Sequence, residues 1–202
     1  RVVTARMIVN AGGPWVEDII QNKIRLNSSE GVRLVRGSHL ITKKLYDHEK
    51  CYFFQGEDGR IIFAIPYETD FTLIGTTDVE HADISIKPEC TLEEQNYLIN
   101  FASQYFKIKV TDDDIIKTYS GVRPLYNDNA SSASAATRDY VLSIDETLGA
   151  PMLNVFGGKI TTYRKLSENA LDKISKILPS VEVSWTAGVP LPGGNFDIKE
   201  VQ

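Results

Sequence analysis

Between positions 32 and 75 the sequence alternates short runs of β-branched, aromatic and aliphatic residues with short polar turns. Two of these turns, Gly56-Glu57-Asp58-Gly59 and Glu68-Thr69-Asp70, have the length of hairpin loops. The runs predict strands at 32–35, 40–42, 51–55, 61–67 and 71–75. Strands joined by such short loops pair in antiparallel fashion, so the pattern argues against an all-parallel, doubly wound sheet.

Two further segments have the spacing of amphipathic helices. Thr91-Leu92-Glu93-Glu94 has the form of a capping box, and the apolar residues after it predict a helix over 92–106. Helical spacing continues from Tyr163 until Pro179 ends the pattern. Two more strands are predicted, at 140–144 and 152–156. The expected fold class is α+β, with a mixed, largely antiparallel sheet and packed helices.

The composition excludes several functional classes. Lysine and arginine number 22 against 27 acidic residues, and the net charge of −5 argues against a nucleic-acid partner. The apolar runs are far shorter than the ~20 residues that a membrane-spanning helix needs. With only two cysteines and no secretory signal, the sequence predicts a reducing, cytoplasmic compartment.

Two predicted strand-to-helix junctions carry glycine pairs, Asn10-Ala11-Gly12-Gly13-Pro14 and Phe156-Gly157-Gly158-Lys159. At such junctions a ligand can approach the backbone closely, and free N–H groups favour negatively charged atoms, although glycine also serves simply to turn a chain. Neither junction is a Walker loop, and the sequence contains no Gly-x-Gly-x-x-Gly. The phosphate-binding loop of any bound dinucleotide would therefore lie outside this chain.

Two side chains stand in contexts that suit a binding site. His39 follows Arg36-Gly37-Ser38 and is either a general base in a cleft or a hydrogen-bonded structural side chain. Arg123 has stiff, apolar neighbours, where a guanidinium needs either an internal ion pair or a bound anion.

The acidic run Asp112-Asp113-Asp114 predicts a capped turn, because no further ligand follows at metal-binding spacing. We predict no metal site.

Six motifs, in their order and spacing, resemble the FAD-dependent aerobic glycerol-3-phosphate dehydrogenases. They are Asn10-Ala11-Gly12-Gly13-Pro14-Trp15, Arg36-Gly37-Ser38-His39, Ile74-Gly75-Thr76-Thr77-Asp78, Tyr119-Ser120-Gly121-Val122-Arg123-Pro124-Leu125, Thr137-Arg138-Asp139-Tyr140 and Val155-Phe156-Gly157-Gly158-Lys159-Ile160-Thr161-Thr162-Tyr163-Arg164-Lys165. The resemblance implies a substrate domain like those of glucose-oxidase and amino-acid-oxidase flavoenzymes. It also implies an internal fragment without the N-terminal FAD loop and the C-terminal helical domain.

The resemblance implies four segments in the chain. Residues 1–30 would end the FAD-binding domain, 31–150 would form the substrate-binding domain, 151–180 would return to the FAD-binding domain, and 181–202 would lead towards the further domain. The start at Arg1, directly before a strand pattern, agrees with the expectation of a piece of a longer protein.

The family reaction oxidises sn-glycerol 3-phosphate to dihydroxyacetone phosphate, with hydride passing to FAD and electrons to quinone. By resemblance, His39 would be the base or would orient the hydroxyl, Arg123 would bind the anionic end of the substrate, and Lys159 would place substrate and flavin. The implied cofactor-binding residues are Gly12, Gly13, Trp15, Gly157, Gly158, Lys159, Ile160 and Thr161. Relatives that pass electrons to oxygen carry a long insertion after the motif that ends at Leu125. Here only residues 126–136 separate that motif from the next one, which starts at Thr137, so the dehydrogenase branch is favoured.

The alternative is a non-enzymatic α+β module that uses Arg123 and Lys159 to hold a phosphorylated metabolite. The partners implied by resemblance are glycerol 3-phosphate and a quinone, and a homodimer is left open. The full enzyme is expected at the inner face of the cell membrane, in contact with it through regions outside this chain. The fragment alone is expected to lack tightly bound FAD and activity.

Overall fold

The computed structural model describes residues 2–26, 28–133, 135–147, 149–179 and 184–197. The chain divides into two units, Arg1–Gly157 and Gly158–Gln202. The described strands are β1 (Ile8–Asn10), β2 (Val32–Lys43), β3 (Tyr52–Gln55), β4 (Ile61–Tyr67), β5 (Phe71–Gly75), β6 (Val79–Glu80), β7 (Ile115–Tyr126), β8 (Val141–Asp145) and β9 (Met152–Phe156). The α-helices are α1 (Val16–Asp18), α2 (Leu92–Ser103) and α3 (Tyr163–Ser175).

The larger sheet of the first unit has six strands and is antiparallel throughout. Its path runs β3-β4-β5-β2-β6, and β7 pairs along the whole of β2. The predicted antiparallel arrangement is confirmed. The prediction that 32–35 and 40–42 are separate strands is wrong, because β2 runs unbroken through Gly37, which lies opposite Gly121 of β7. Strand β7 was not predicted.

Helix α2 covers one face of this sheet, as expected. Its N-terminus has the predicted capping box between Thr91 and Glu94. Leu98 is fully buried against the sheet residues Leu40 and Ile74, and burying one such side chain contributes roughly 1.5–3 kcal/mol. The helix ends at Ser103 and not at residue 106.

The smaller sheet of the first unit has the order β1-β9-β8. Strand β8 belongs here, whereas the other described strands over 32–144 lie in the larger sheet, so the prediction that most strands of this range join one largely antiparallel sheet is confirmed. β1 and β9 are parallel, and the buried side chain of Asn10 donates to Oδ1 of Asn154 at 3.0 Å. Because both strands run in the same direction, the glycine turns that follow them emerge at the same edge of the sheet. The apolar core beneath this sheet includes Val16, Ile20 and Phe156.

The second unit consists of α3, preceded by a 3-10 turn over Ile160–Thr162, and the segment that follows the helix. Its buried carboxylate, Glu168, accepts hydrogen bonds from Arg164 at 2.7 Å and from Thr186 at 2.6 Å.

In the first unit, the capped turn predicted at Asp112-Asp113-Asp114 is confirmed, because Asp114 accepts hydrogen bonds from Thr111 at 2.9 Å. Within the described ranges, no helix is long and apolar enough to cross a membrane, and no cluster of metal-ligating side chains occurs.

Candidate functional site

The pairing of β2 with β7 brings together two residues that lie far apart in the sequence. His39 is opposite Tyr119, and Arg123 is opposite Val35. Alternate residues of a strand point to the same face of a sheet, so His39 and Arg123 share the face that Gly37 leaves open between them. This is the face opposite to the one that carries Ser38.

The guanidinium of Arg123 lies directly over Gly37. A Cβ atom added to this glycine would come within 2.3 Å of both terminal nitrogens of Arg123. The guanidinium donates to Oγ1 of Thr76 at 2.8 Å and pairs with Asp78 at 3.1 Å. Burial lowers the pKa of Arg123, and the carboxylate of Asp78 partly offsets this effect. The internal ion pair that the sequence left open is therefore present.

Asp78 also binds a second guanidinium. Its other oxygen lies 3.0 Å from Nη2 of Arg138, so one carboxylate is shared by Arg123 and Arg138. The group of three keeps a net charge of +1, and each guanidinium has donors to spare for a further anion. The sequence patterns gave Arg138 no role, although it stands in one of the six motifs; its contact with Asp78 spans 60 residues.

His39 is held between two neighbouring strands. Its ring stacks on Tyr119 of β7 with centroids 4.8 Å apart, and its Cδ2 lies 2.3 Å from where a Cβ of Gly75 would be. Burial, followed by the positive charge of Arg123, lowers the pKa of His39 from 6.5 to about 4. The imidazole is therefore neutral at pH 7. Its buried Nδ1 has no hydrogen-bond partner among the described residues.

A buried carboxylate supports this arrangement from the other face of the sheet. Glu94 of α2 accepts hydrogen bonds from Ser38 at 2.8 Å and from Thr77 at 2.6 Å, and Nη2 of Arg36 lies 2.8 Å away. Burial opposes ionisation, but the hydrogen bonds from Thr77, from the backbone of Thr91 and from Ser38 outweigh it and hold the pKa of Glu94 below its ordinary value. Glu94 thus ties the residue before His39 to the loop that holds Arg123.

We expect Glu94→Ala to destabilise the chain by about 3–5 kcal/mol, because it removes the buried partner of the half-buried Arg36 guanidinium and leaves the hydroxyl groups of Ser38 and Thr77 without their carboxylate acceptor. Urea unfolding followed by circular dichroism measures this loss. The matched control is Glu93→Ala, an exposed acid of the same helix, which we expect to change the free energy of unfolding by less than about 0.5 kcal/mol. Equal stability of the two variants would contradict the role of Glu94.

The glycines of the predicted cofactor site adopt the conformations that their positions require. Gly13 and Gly157 have positive φ angles of 55° and 65°. A side chain at Gly13 would meet nothing within 4 Å, and Trp15 is 54% exposed. Gly12 is more confined, because an added Cβ would lie 2.8 Å from Cδ1 of Ile19. This edge of the smaller sheet therefore presents an open backbone and an exposed aromatic ring.

The remaining predicted site residues belong to the second unit. Gly158 has a φ of 95°, and Lys159 precedes the 3-10 turn with an exposed side chain. Ile160 is 86% exposed, and Thr161 is exposed as well. The roles of these residues towards substrate and flavin stay predictions, as do the segment boundaries implied by the resemblance.

A cavity of about 710 Å³ lies elsewhere in the first unit and is lined by neither His39 nor Arg123. Its lining includes four acidic residues, Glu17, Asp18, Glu80 and Asp83, against one arginine, Arg33, which is paired with Glu80. An acidic lining repels phosphate, so this cavity does not suit a phosphorylated substrate.

Comparison with known proteins shows the family to which the chain belongs. The family described as FAD dependent oxidoreductase matches residues 1–164. D-erythritol 1-phosphate dehydrogenase of Brucella abortus is 47% identical over 196 residues, and aerobic glycerol-3-phosphate dehydrogenase of Escherichia coli is 46% identical over 194 residues. These matches cover 97% and 96% of this chain but only 39% of each relative.

Two solved structures share the fold. The crystal structure of glycerol-3-phosphate dehydrogenase from Bacillus halodurans, complexed with FAD, matches with a TM-score of 0.78 and 29% identity over 96% of this chain and 36% of that one. Glycine oxidase from Bacillus cereus matches with a TM-score of 0.52 and 17% identity over 79% of this chain and 38% of that one. The predicted α+β fold class and the resemblance to glycerol-3-phosphate dehydrogenases are confirmed. The chain belongs to the family of FAD-dependent oxidoreductases.

Proposed function

We propose that this chain carries the substrate-binding part of an FAD-dependent dehydrogenase that oxidises sn-glycerol 3-phosphate to dihydroxyacetone phosphate. The observation that carries the proposal is the pair of guanidinium groups, Arg123 and Arg138, with a single carboxylate between them and a neutral imidazole on the same face as Arg123. The relatives that match most of the chain include glycerol-3-phosphate dehydrogenases.

The side chains suit both ends of such a substrate. The guanidinium of Arg123 would bind the phosphate dianion with charge-assisted hydrogen bonds, and the proximity of Arg138 adds to the positive potential. His39, neutral at pH 7, would accept the proton of the C2 hydroxyl group through a ring nitrogen. Since Arg123 contributes to the low pKa of His39, a bound dianion would raise that pKa and make the imidazole a stronger base.

The residues present also fit a flavin. Two glycine turns follow the parallel strands β1 and β9 at one edge of the smaller sheet, where ligands of open α/β sheets commonly bind. The backbone at Gly13 is open, and the ring of Trp15 is exposed beside it. Bound FAD supplies the hydride acceptor. In the first unit, Gly12, Gly13, Trp15 and Gly157 would contribute to its binding. For the second unit, the family resemblance implies Gly158, Lys159, Ile160 and Thr161.

D-erythritol 1-phosphate is a second candidate substrate, because a D-erythritol 1-phosphate dehydrogenase is as similar to this chain as the glycerol-3-phosphate dehydrogenases are. Both substrates are polyol phosphates, so the arginine pair suits either of them. The values of kcat/KM for the two substrates, measured with the same enzyme preparation, decide which one is preferred. We propose quinone as the electron acceptor and a peripheral position at the inner face of the cell membrane for the full-length protein.

We expect the full-length protein that contains this sequence to be yellow when purified and to reduce a quinone analogue when given glycerol 3-phosphate. We expect the isolated 202-residue chain to be colourless and inactive, because the family's pyrophosphate-binding loop is not among its motifs. Flavin absorbance and dye reduction measure both properties. A full-length protein without flavin that still binds glycerol 3-phosphate would favour the non-enzymatic binding module instead.

Gly37→Ala tests the arrangement without removing any functional group. The new Cβ would overlap the guanidinium of Arg123, which would have to move by about 1 Å, and such a displacement can reduce kcat/KM by about 100-fold. Gly121→Ala is the matched control, because Gly121 lies opposite Gly37 in the β-ladder and an added Cβ there meets nothing within 4 Å. A kcat/KM value for Gly37→Ala equal to that of the unaltered protein would argue against a role of Arg123 in substrate binding.

A further inference from the structure

A second cleft, of about 560 Å³, lies in the first unit where β2 ends and where the chain leaves α2. Four lysines line it: Lys43, Lys44, Lys107 and Lys109. We call it the lysine cleft. Asp114 is the acidic residue in the lining, so the lining carries a net charge of about +3 in a chain whose net charge is −5.

Ion pairs within the described residues neutralise part of this positive charge. Asp114 lies 3.7 Å from the ammonium group of Lys43 and accepts hydrogen bonds from Thr111 at 2.9 Å. The other three lysines form no ion pair with an acidic side chain in the described part of the chain. Bringing like charges to one cleft costs free energy, and a bound anion would offset that cost.

The loop that presents two of these lysines is fixed at both ends. Before it, the ring of Phe106 stacks on Tyr46 with centroids 5.8 Å apart. After it, Val110 is buried, and its N–H group donates to Oγ of Ser103 at 3.0 Å. Lys107 and Lys109 are therefore held beside the cleft by packing rather than placed there by a loose tail.

The lysine cleft also has an apolar component. Tyr52 and Phe106 contribute aromatic walls, and Ile108, between the two loop lysines, is 79% exposed. An exposed isoleucine flanked by lysines offers contact to an apolar group next to a negative charge. The cleft thus combines cationic groups with apolar surface at a site separate from His39 and Arg123.

We propose that the lysine cleft binds a phosphate-bearing anion, a role that goes beyond the proposed dehydrogenase activity. The ligand has clustered negative charge and is either a free polyphosphorylated molecule or the head group of an anionic phospholipid. Both sources present phosphate oxygens to Lys44, Lys107 and Lys109. They differ in whether an apolar chain is available to contact Ile108.

The test uses two probes on the full chain: inorganic tripolyphosphate in calorimetry, and sedimentation with phosphatidylcholine vesicles with or without phosphatidylglycerol. We expect saturable binding of at least one anionic probe that weakens as salt concentration rises. The double variant K107Q/K109Q should weaken it by about tenfold or more. The control K23Q/K87Q removes two exposed lysines elsewhere and should change binding by less than about twofold.

Ile108→Ser identifies the source of the phosphate. Weaker vesicle binding with unchanged tripolyphosphate binding supports a phospholipid head group, and unchanged binding of tripolyphosphate without vesicle binding supports a free phosphorylated molecule. The proposal is overturned if neither anionic probe binds, or if K107Q/K109Q and K23Q/K87Q lose the same affinity. All of the exchanged residues except Lys23 and Lys87 line the cleft, and none of them is buried, so folding is expected to be preserved.

Discussion

His39→Ala should lower kcat for glycerol 3-phosphate oxidation by about 10²–10⁴-fold in the full-length protein, with little change in KM. The variant loses the neutral imidazole that would accept the hydroxyl proton, while it keeps Arg123 and Arg138, the proposed phosphate-binding groups. Stopped-flow measurement of flavin reduction at saturating substrate isolates this step from quinone turnover.

Two controls separate a chemical role of His39 from a structural one. His48→Ala removes an exposed imidazole that hydrogen-bonds to Tyr52 and should leave flavin reduction unchanged. Added imidazole should restore part of the rate of His39→Ala, because the ring leaves a space between Tyr119 and Gly75. An unchanged rate of flavin reduction in His39→Ala would remove His39 from the mechanism and leave Lys159, or a residue outside this chain, as the base.

Arg123→Ala is expected to raise KM for glycerol 3-phosphate by about 10- to 150-fold, because a charge-assisted hydrogen bond contributes roughly 1.5–3 kcal/mol. The pKa of His39 provides a second measurement. Burial is the main cause of its low value and the charge of Arg123 is the next, so the variant should raise this pKa above about 4. Titration of the imidazole by NMR measures the change, and an unchanged pKa would contradict the influence of the Arg123 charge on His39.

The same pKa fixes the sign of a stability change with pH. His39 titrates at about 4 in the folded chain and near 6.5 when unfolded, so the unfolded state binds the proton more tightly. The contribution of His39 to stability is complete above pH 6.5 and is lost as pH falls towards 4. In Arg123→Ala the pKa of folded His39 should be higher, so the pH range over which this stability is lost should be narrower and should end above pH 4.

The control for Arg123→Ala is Arg60→Ala. This variant removes a guanidinium that lies over the ring of Tyr97 and should change neither KM nor the pKa of His39.

Local sequence signals predicted several elements well. The capping box at Thr91 marks the start of α2, and the turn at residues 56–59 joins β3 to β4 as a hairpin. These signals act within a few residues, through backbone hydrogen bonds and turn geometry, so no distant contact is needed to read them. The end of α2 was misplaced by three residues, because the apolar spacing continues into Tyr105 and Phe106, which pack on the aromatic cluster after the helix has ended.

The continuity of β2 shows where local signals fail. Arg36-Gly37-Ser38-His39 looked like an interruption before a strand, since glycine weakens a strand taken by itself. In the folded chain Gly37 is a strand residue, because β7 pairs with it across the whole length of β2 and the guanidinium of Arg123 occupies the space where a side chain would stand. The reason for this glycine lies 86 positions further along the chain.

The sequence by itself determined the α+β class, the antiparallel hairpins, the family resemblance and the identity of His39 and Arg123 as candidates. Only the tertiary structure decided that Asp78 joins Arg123 to Arg138, that burial keeps His39 neutral, and that Glu94 ties Ser38 to Thr77 beneath them. The physical reason is the separation along the chain over which each kind of interaction acts. Capping and turn preferences act between neighbours in the chain, whereas ion pairs and desolvation depend on which strands pack together, and here the deciding contacts join residues 17 to 60 positions apart.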